Sequence, residues 1–229
     1  MAERSVLACF PLKEEAAPFR KIAAGKPGVI ILLTGMGRRN AERSLRDSLA
    51  AHSPELVLTC GFAGALNPDL NLGEVAFELA DWKDGLHESL PVSEVRDSPS
   101  SSLRQKLIAA GAKSAKFFCA DRVATTAVEK QKLRRETGAD AVEMESAAVH
   151  AVCRERGIPC VTVRVVSDTA GEDLPLDFNQ LSKPDQSLDY AKLFLAIVKS
   201  PGKIGSLMKL QKQTQFAAER LAEVLGQVL

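Results

Sequence analysis

The chain has 229 residues, of which 45% are hydrophobic and 26% charged, and its 30 Lys and Arg against 29 Asp and Glu leave a formal net charge of +1. These values exclude a wholly disordered chain and argue against a large electrostatic footprint for nucleic acid. No apolar run is long enough to span a bilayer. The first residues, Met1 to Arg4, lead into a short apolar run without the pattern of a signal peptide, so a cytoplasmic protein is expected.

Short apolar runs alternate with helical patterns along the chain. Strands are expected at Val6–Pro11, Gly28–Thr34, Glu55–Cys60, Glu74–Ala80, Ala115–Ala120 and Ile158–Val166. Helices are expected at Glu14–Ala24, Arg39–Ala51, Leu103–Ala110, Val128–Thr137 and Val142–Arg156. The last of these carries Arg154 and Arg156 in its final turn, Gly157 in place for a left-handed cap, and then Pro159. This alternation predicts an α/β fold, with helices flanking a central, mostly buried sheet. The stretches Asp81–Ser102 and Ser167–Asp189 read as loop-rich but not as linkers, so one domain over residues 1–229 is expected. Its tail, about 203–229, has the spacing of one or two amphipathic helices. Packing on the domain edge is the plain reading of that tail. Lys203, Lys209 and Lys212 make a membrane-surface role the lesser one.

Cys9, Cys60, Cys119, Cys153 and Cys160 are odd in number, form no CxxC pair and have apolar neighbours, which suits reduced core residues. His52, His87 and His150 are scattered without zinc-ligand spacing, so no metal is expected.

Three segments carry candidate chemistry. Gly35-Met36-Gly37-Arg38 joins a strand to a helix, as an anion cradle does, although a tight strand-to-helix turn is the preferred reading. Gly61-Phe62-Ala63-Gly64 is a second small-residue turn after a second strand. Two such turns leave space at the carboxyl edge of a sheet, where ligands bind in open α/β folds. Third, Glu143 and Glu145 are expected to open a helix, where two residues' separation would point them in different directions. Arg164 interrupts the apolar strand that follows, and Asp168 lies just past its end. A guanidinium there requires a carboxylate or a ligand as partner.

The runs Val142-Glu143-Met144-Glu145-Ser146-Ala147-Ala148 and Val163-Arg164-Val165-Val166-Ser167-Asp168 resemble the purine nucleoside phosphorylase and methylthioadenosine/S-adenosylhomocysteine nucleosidase superfamily. Leu33–Gly37, Gly61–Ala65 and Leu72–Val75 fall in the expected order, and the resemblance covers most of residues 5–198. Asp121-Arg122-Val123, the Gly-Phe-Ala-Gly turn and the tail from Ser200 to Leu210 look closest to the hopanoid-associated phosphorylases, with futalosine hydrolases as neighbours.

The resemblance implies a three-layer nucleoside phosphorylase-like sandwich. It also implies cleavage of a purine ribosyl N-glycosidic bond through an oxocarbenium-like transition state. Asp168 matches the general acid, a role that partial desolvation favours. Glu145 matches the carboxylate that accepts from the ribose hydroxyls. Met144 would form an apolar floor under the sugar, while Phe62 and Val123 would bound the base or sugar, Phe62 being equally readable as core. Gly64, Ser167 and Arg164 complete the substrate-binding set, and Glu143 is assigned a structural role.

The nucleophile stays open at this point. Glu15, with Glu14 as fallback, matches the glutamate that activates water in the hydrolases. The arginine that hexameric phosphorylases carry before the second glycine turn is replaced by Thr59 and Cys60. Phosphate would then fall to Arg164, Lys13 or Arg38. Hydrolysis of a 5′-modified adenosine is the leading expectation, followed by phosphorolysis of a purine nucleoside such as an adenosyl-hopanoid, with inorganic phosphate as co-substrate and no other cofactor. A futalosine-type hydrolysis and a non-catalytic nucleoside-binding module are the other readings. A homodimer is expected, because family members complete the site with a neighbouring subunit.

Overall fold

The computed structural model describes residues 5–79, 99–181 and 201–229. Its strands are Val6–Phe10 (β1), Val29–Leu33 (β2), Leu56–Ala65 (β3), Val75–Leu79 (β4), Lys113–Ser114 (β5), Phe117–Cys119 (β6), Ala141–Glu143 (β7) and Cys160–Asp168 (β8). Its helices are Lys13–Ala23 (α1), Arg38–Ala51 (α2), Pro99–Ala109 (α3), Ala127–Thr137 (α4), Ser146–Arg156 (α5) and Ile204–Val228 (α6), the last preceded by a 3₁₀ turn at Pro201–Lys203. The strands form one mixed sheet in the order β2-β1-β3-β8-β4-β5, with β7 pairing the far end of β3 and β6 pairing β7. β1, β2, β3 and β8 run parallel, while β4 runs antiparallel to β8. This is the α/β sandwich that the strand–helix alternation predicts.

Strand alternation sorts the core into two layers. Ala8 and Phe10 of β1 face one side, with Phe19 of α1, Leu103 and Leu107 of α3, and Leu221 and Leu225 of α6. Leu7 and Cys9 face the other side, with Leu45 and Leu49 of α2 and Val149, Val152 and Cys153 of α5. Each large apolar side chain buried in these layers contributes about 1.5–3 kcal/mol. The C-terminal half of α6, through Ala217, Leu221 and Leu225, belongs to the first layer, so the tail packs on the sheet. No helix among the described residues is long and apolar enough to cross a membrane.

Four elements depart from the sequence reading, the first being the turn expected at Gly61–Gly64, which is instead the continuation of β3 as far as Ala65, paired with β8. The helix expected from Val142 starts only at Ser146, because Ala141–Glu143 pair with Gly64 and Ala65 of β3 and with β6 as strand β7. The strand expected at Ala115–Ala120 shortens to the three residues of β6, with the two-residue strand β5 just before it. Strand β8 runs on through Ser167 and Asp168, so Asp168 ends the strand rather than following it. Gly157 does adopt the left-handed conformation of a helix cap, with φ 67°. Most of the Asp81–Ser102 stretch, as well as residues 182–189, lies outside the described residues.

Candidate active site

The carboxyl ends of β3 and β8, the turn after β2, the start of α1 and the β7–α5 junction converge on Arg164. Its guanidinium is 1% exposed. Nη2 donates to Glu143 Oε2 at 2.7 Å and to Thr59 Oγ1 at 2.9 Å, and Nη1 lies 3.2 Å from Glu145 Oε2. Glu143 and Glu145 therefore share one cation. The expectation that they diverge on a helix fails because neither is within α5. Glu143 ends β7, and Glu145 is the residue before the first helical turn.

The two carboxylates differ in their other partners. Glu143 accepts from the backbone amides of Glu145 at 2.9 Å and Ser146 at 2.8 Å, and from Ser146 Oγ at 2.5 Å, so it caps the helix entry. Burial acts to raise its pKa, but Arg164 and the Ser146 donors together hold it below the ordinary glutamate value. Glu145 accepts from the Gly37 amide at 2.8 Å through Oε1, which leaves it with fewer donors. Burial raises its pKa, against Arg164 and with the help of the Glu143 charge. The glycine turn after β2 thus directs an amide at a carboxylate of the protein itself.

Glu15 enters from the first turn of α1 and is 3% exposed. Oε2 accepts from the Leu12 amide at 2.9 Å and Oε1 from the Phe62 amide at 3.0 Å. Burial pushes its carboxyl up to about 7, with the Phe62 amide and Arg164 opposing. Such a value suits a general base near neutral pH. Gly61 makes this approach feasible. A Cβ there would lie 2.8 Å from Arg164 Nη1 and 3.1 Å from each Glu15 carboxylate oxygen, and its φ of +141° is one that side chains rarely adopt.

Asp168 stands further along the same edge. In the β3–β8 register Ala63 pairs with Val166 but Gly64 pairs with Asp168, so Ser167 is a bulge residue. The bulge takes Asp168 out of the alternation that puts Thr162, Arg164 and Val166 on one face, and sets it beside Gly64. A Cβ on Gly64 would lie 3.0 Å from Asp168 Oδ2. Ser167 Oγ donates to Asp168 Oδ1 at 2.7 Å, and Lys130 Nζ of α4 lies 2.5 Å from Oδ2.

The phosphorylase superfamily model matches residues 7–199. The chain belongs to the phosphorylase superfamily. A 5′-methylthioadenosine/S-adenosylhomocysteine nucleosidase from Marinomonas sp. (strain MWYL1) is 31% identical over 179 residues, covering 68% of this chain and 74% of the relative. An aminodeoxyfutalosine nucleosidase from Campylobacter jejuni is 27% identical over 176 residues, covering 66% and 72%. Among solved structures, futalosine hydrolase of Helicobacter pylori superposes with a TM-score of 0.67 at 18% identity, over 99% of this chain and 97% of that one, a likeness of fold.

In this superfamily member the structure brings Glu15, Arg164, Glu145, Phe62 and Gly64 to one edge, with Ser167 and Asp168 at its far end. Met144 is half-buried between Glu143 and Glu145. Two of the three groups considered for phosphate have partners elsewhere. Lys13 is exposed and 3.8 Å from Glu14. Arg38 is exposed, lies 3.4 Å from Asp121 and donates to the Cys119 carbonyl. Among the described residues no cluster of three or more His, Cys, Asp or Glu could hold a metal ion.

Sequence reasoning missed two residues. Asn179 clamps Val123, accepting from its amide at 2.9 Å and donating to its carbonyl at 3.0 Å. That pairing spans 56 positions and has no local signal. Lys130 sits among Glu129, Gln131 and Lys132 and reads as part of a solvated helix face, yet it is wholly buried.

Proposed function

We propose that this protein hydrolyses the ribosyl N-glycosidic bond of a purine nucleoside, with a 5′-modified adenosine such as methylthioadenosine as substrate. The observation that carries the reading is Glu15. It is a buried carboxyl with a pKa near 7, held by two backbone amides against the Gly61 backbone and close to Arg164. The nucleosidase names of the relatives point the same way.

Glu15 takes a proton from water as the water oxygen bonds to the anomeric carbon. The C–N bond breaks and its electron pair leaves with the base. The O–H bond of the Asp168 carboxyl breaks as a ring nitrogen of the purine gains the proton. Glu145, oriented by the Gly37 amide and Arg164, accepts hydrogen bonds from the ribose hydroxyls and lies close to the positive charge that builds on the sugar. Met144 lines the sugar, and Phe62 and Val123 bound the base. The reaction consumes water and releases the free base and the free 5′-modified ribose, methylthioribose in the case of methylthioadenosine.

Phosphorolysis is less well supported. Arg38 and Lys13 are engaged at the surface, and Arg164 is committed to Thr59, Glu143 and Glu145. The reading includes a single domain, a cytoplasmic location, a homodimer and no cofactor. Product analysis with methylthioadenosine, adenosine and inosine, each with and without phosphate, tests it. Free base and free sugar without phosphate are expected. A strict phosphate requirement with a sugar 1-phosphate product would overturn it.

A further inference from the structure

Lys130 has no exposed surface. A buried ammonium is costly unless its charge is paired and each of its three donors is used. All three are: Nζ lies 2.5 Å from Asp168 Oδ2, 2.8 Å from the Thr169 carbonyl and 2.9 Å from the Glu172 carbonyl. Two of these bonds go to backbone just beyond β8. The third goes to the side chain assigned to protonate the leaving base.

The surroundings make this a fixed mount. The Ala127 amide donates to Asp173 at 2.7 Å, and the Leu174 amide donates to the Thr125 carbonyl at 2.8 Å. These bonds tie the start of α4 to the segment after β8 without Lys130. On the other side of Asp168, Ser167 Oγ holds Oδ1. The two carboxyl oxygens are thus gripped by different donors, and rotation about the terminal bond would break both contacts. Joining the two segments explains two of the Lys130 bonds. It does not explain the one to Asp168.

We propose that Lys130 is a positioning residue for Asp168. It holds the carboxyl against Gly64 so that its proton is delivered along one direction, and its ammonium, held until then by the Thr169 and Glu172 carbonyls, pairs with the carboxylate once that proton has gone. This rests on the functional reading above.

The test compares two substrates for wild type, Lys130→Met and Lys130→Ala. One is methylthioadenosine, whose base requires protonation. The other is a nitrophenyl riboside, whose leaving group departs without it. For Lys130→Met we expect kcat on methylthioadenosine to fall about 100-fold, with KM and turnover of the nitrophenyl riboside changed less than about 3-fold. In Lys130→Ala, propylammonium replaces the atoms removed. It should restore methylthioadenosine turnover saturably, by about 10-fold or more, with little effect on the nitrophenyl riboside. A parallel loss on both substrates without amine rescue would show a merely structural lysine, as would unchanged rates on both. Either result leaves the functional reading standing. A wild type that cleaves neither substrate refutes that reading instead.

Discussion

Gly61 and Gly64 lie three residues apart on β3, the first against Glu15 and Arg164 and the second against Asp168. At about 3.3 Å per residue the interval is about 10 Å. On the proposed reading, the ribosyl group lies between a base, Glu15, at one end and an acid, Asp168, at the other. One strand with two missing side chains thereby spaces the two carboxyls.

Substituting the two glycines should separate stability from catalysis. Gly61→Ala meets Arg164 Nη1 at 2.8 Å with an unfavourable φ. It is expected to destabilise the protein by about 1–3 kcal/mol, measured by urea unfolding. Gly64→Ala meets Asp168 Oδ2 at 3.0 Å. The carboxyl must shift by a few tenths of an ångström, so turnover is expected to fall while the unfolding midpoint stays close to wild type. A turnover equal to wild type in folded Gly64→Ala would contradict the placement of Asp168.

Glu15 acts as a base only when deprotonated, and burial sets its carboxyl near 7. The limb of the profile that Glu15 governs should therefore rise with pH up to about 7. Glu15→Gln should lose about 100-fold or more in kcat and lose that limb of the profile. A flat pH profile in wild type between pH 5 and 8 would count against Glu15 as the base.

The same group affects stability. The ordinary glutamate value is 4.5 and the folded one about 7, so between these the folded state keeps a proton that the unfolded state has lost. Stability from this group thus falls as pH rises from about 4.5 to 7, and the full cost, about 3 kcal/mol, is present above 7. Glu15→Gln removes the charge. Compared with wild type, it should be more stable at pH 8 by up to about that amount, with little difference at pH 4.5. Equal unfolding midpoints of the two proteins at both pH values would exclude the shift.

Arg164 offsets two buried carboxylates, so Arg164→Met should cost about 3–5 kcal/mol. Glu143→Gln also disturbs the entry to α5, because Glu143 accepts from the Glu145 and Ser146 amides. Glu145→Gln leaves that capping in place and should mainly affect sugar binding. Thermal unfolding of the three variants is expected to rank Arg164→Met as least stable and Glu145→Gln as most. The reverse order would show that Glu145, rather than Glu143, is the structural partner.

Much of the candidate site is legible because its residues cluster in short motifs. Arg164 stood out as a charge in an apolar strand, and Glu15, Glu145 and Asp168 followed from a resemblance carried by contiguous residues. The environment of Glu143 and Glu145 was misread, since their neighbours have helical composition and only pairing with Gly64 and Ala65 turns Ala141–Glu143 into a strand. The bulge at Ser167 leaves no mark in the sequence, because alternation alone places Asp168 on the face of Arg164. Lys130 lies amid charged neighbours, and its burial depends on carbonyls about 40 residues away, at a separation of 39 from Thr169 and 42 from Glu172. Local pattern carries the elements and the motif side chains. It does not carry the contacts that form only when β8, α4 and the segment after β8 meet.

The most direct test of water as nucleophile and Glu15 as its base is a single turnover of methylthioadenosine in ¹⁸O-labelled water with phosphate present, for wild type and Glu15→Gln. The account predicts that wild type releases adenine and methylthioribose carrying one ¹⁸O, and that Glu15→Gln slows this release about 100-fold or more. Unlabelled methylthioribose 1-phosphate as the product, or an undiminished rate in Glu15→Gln, would contradict it.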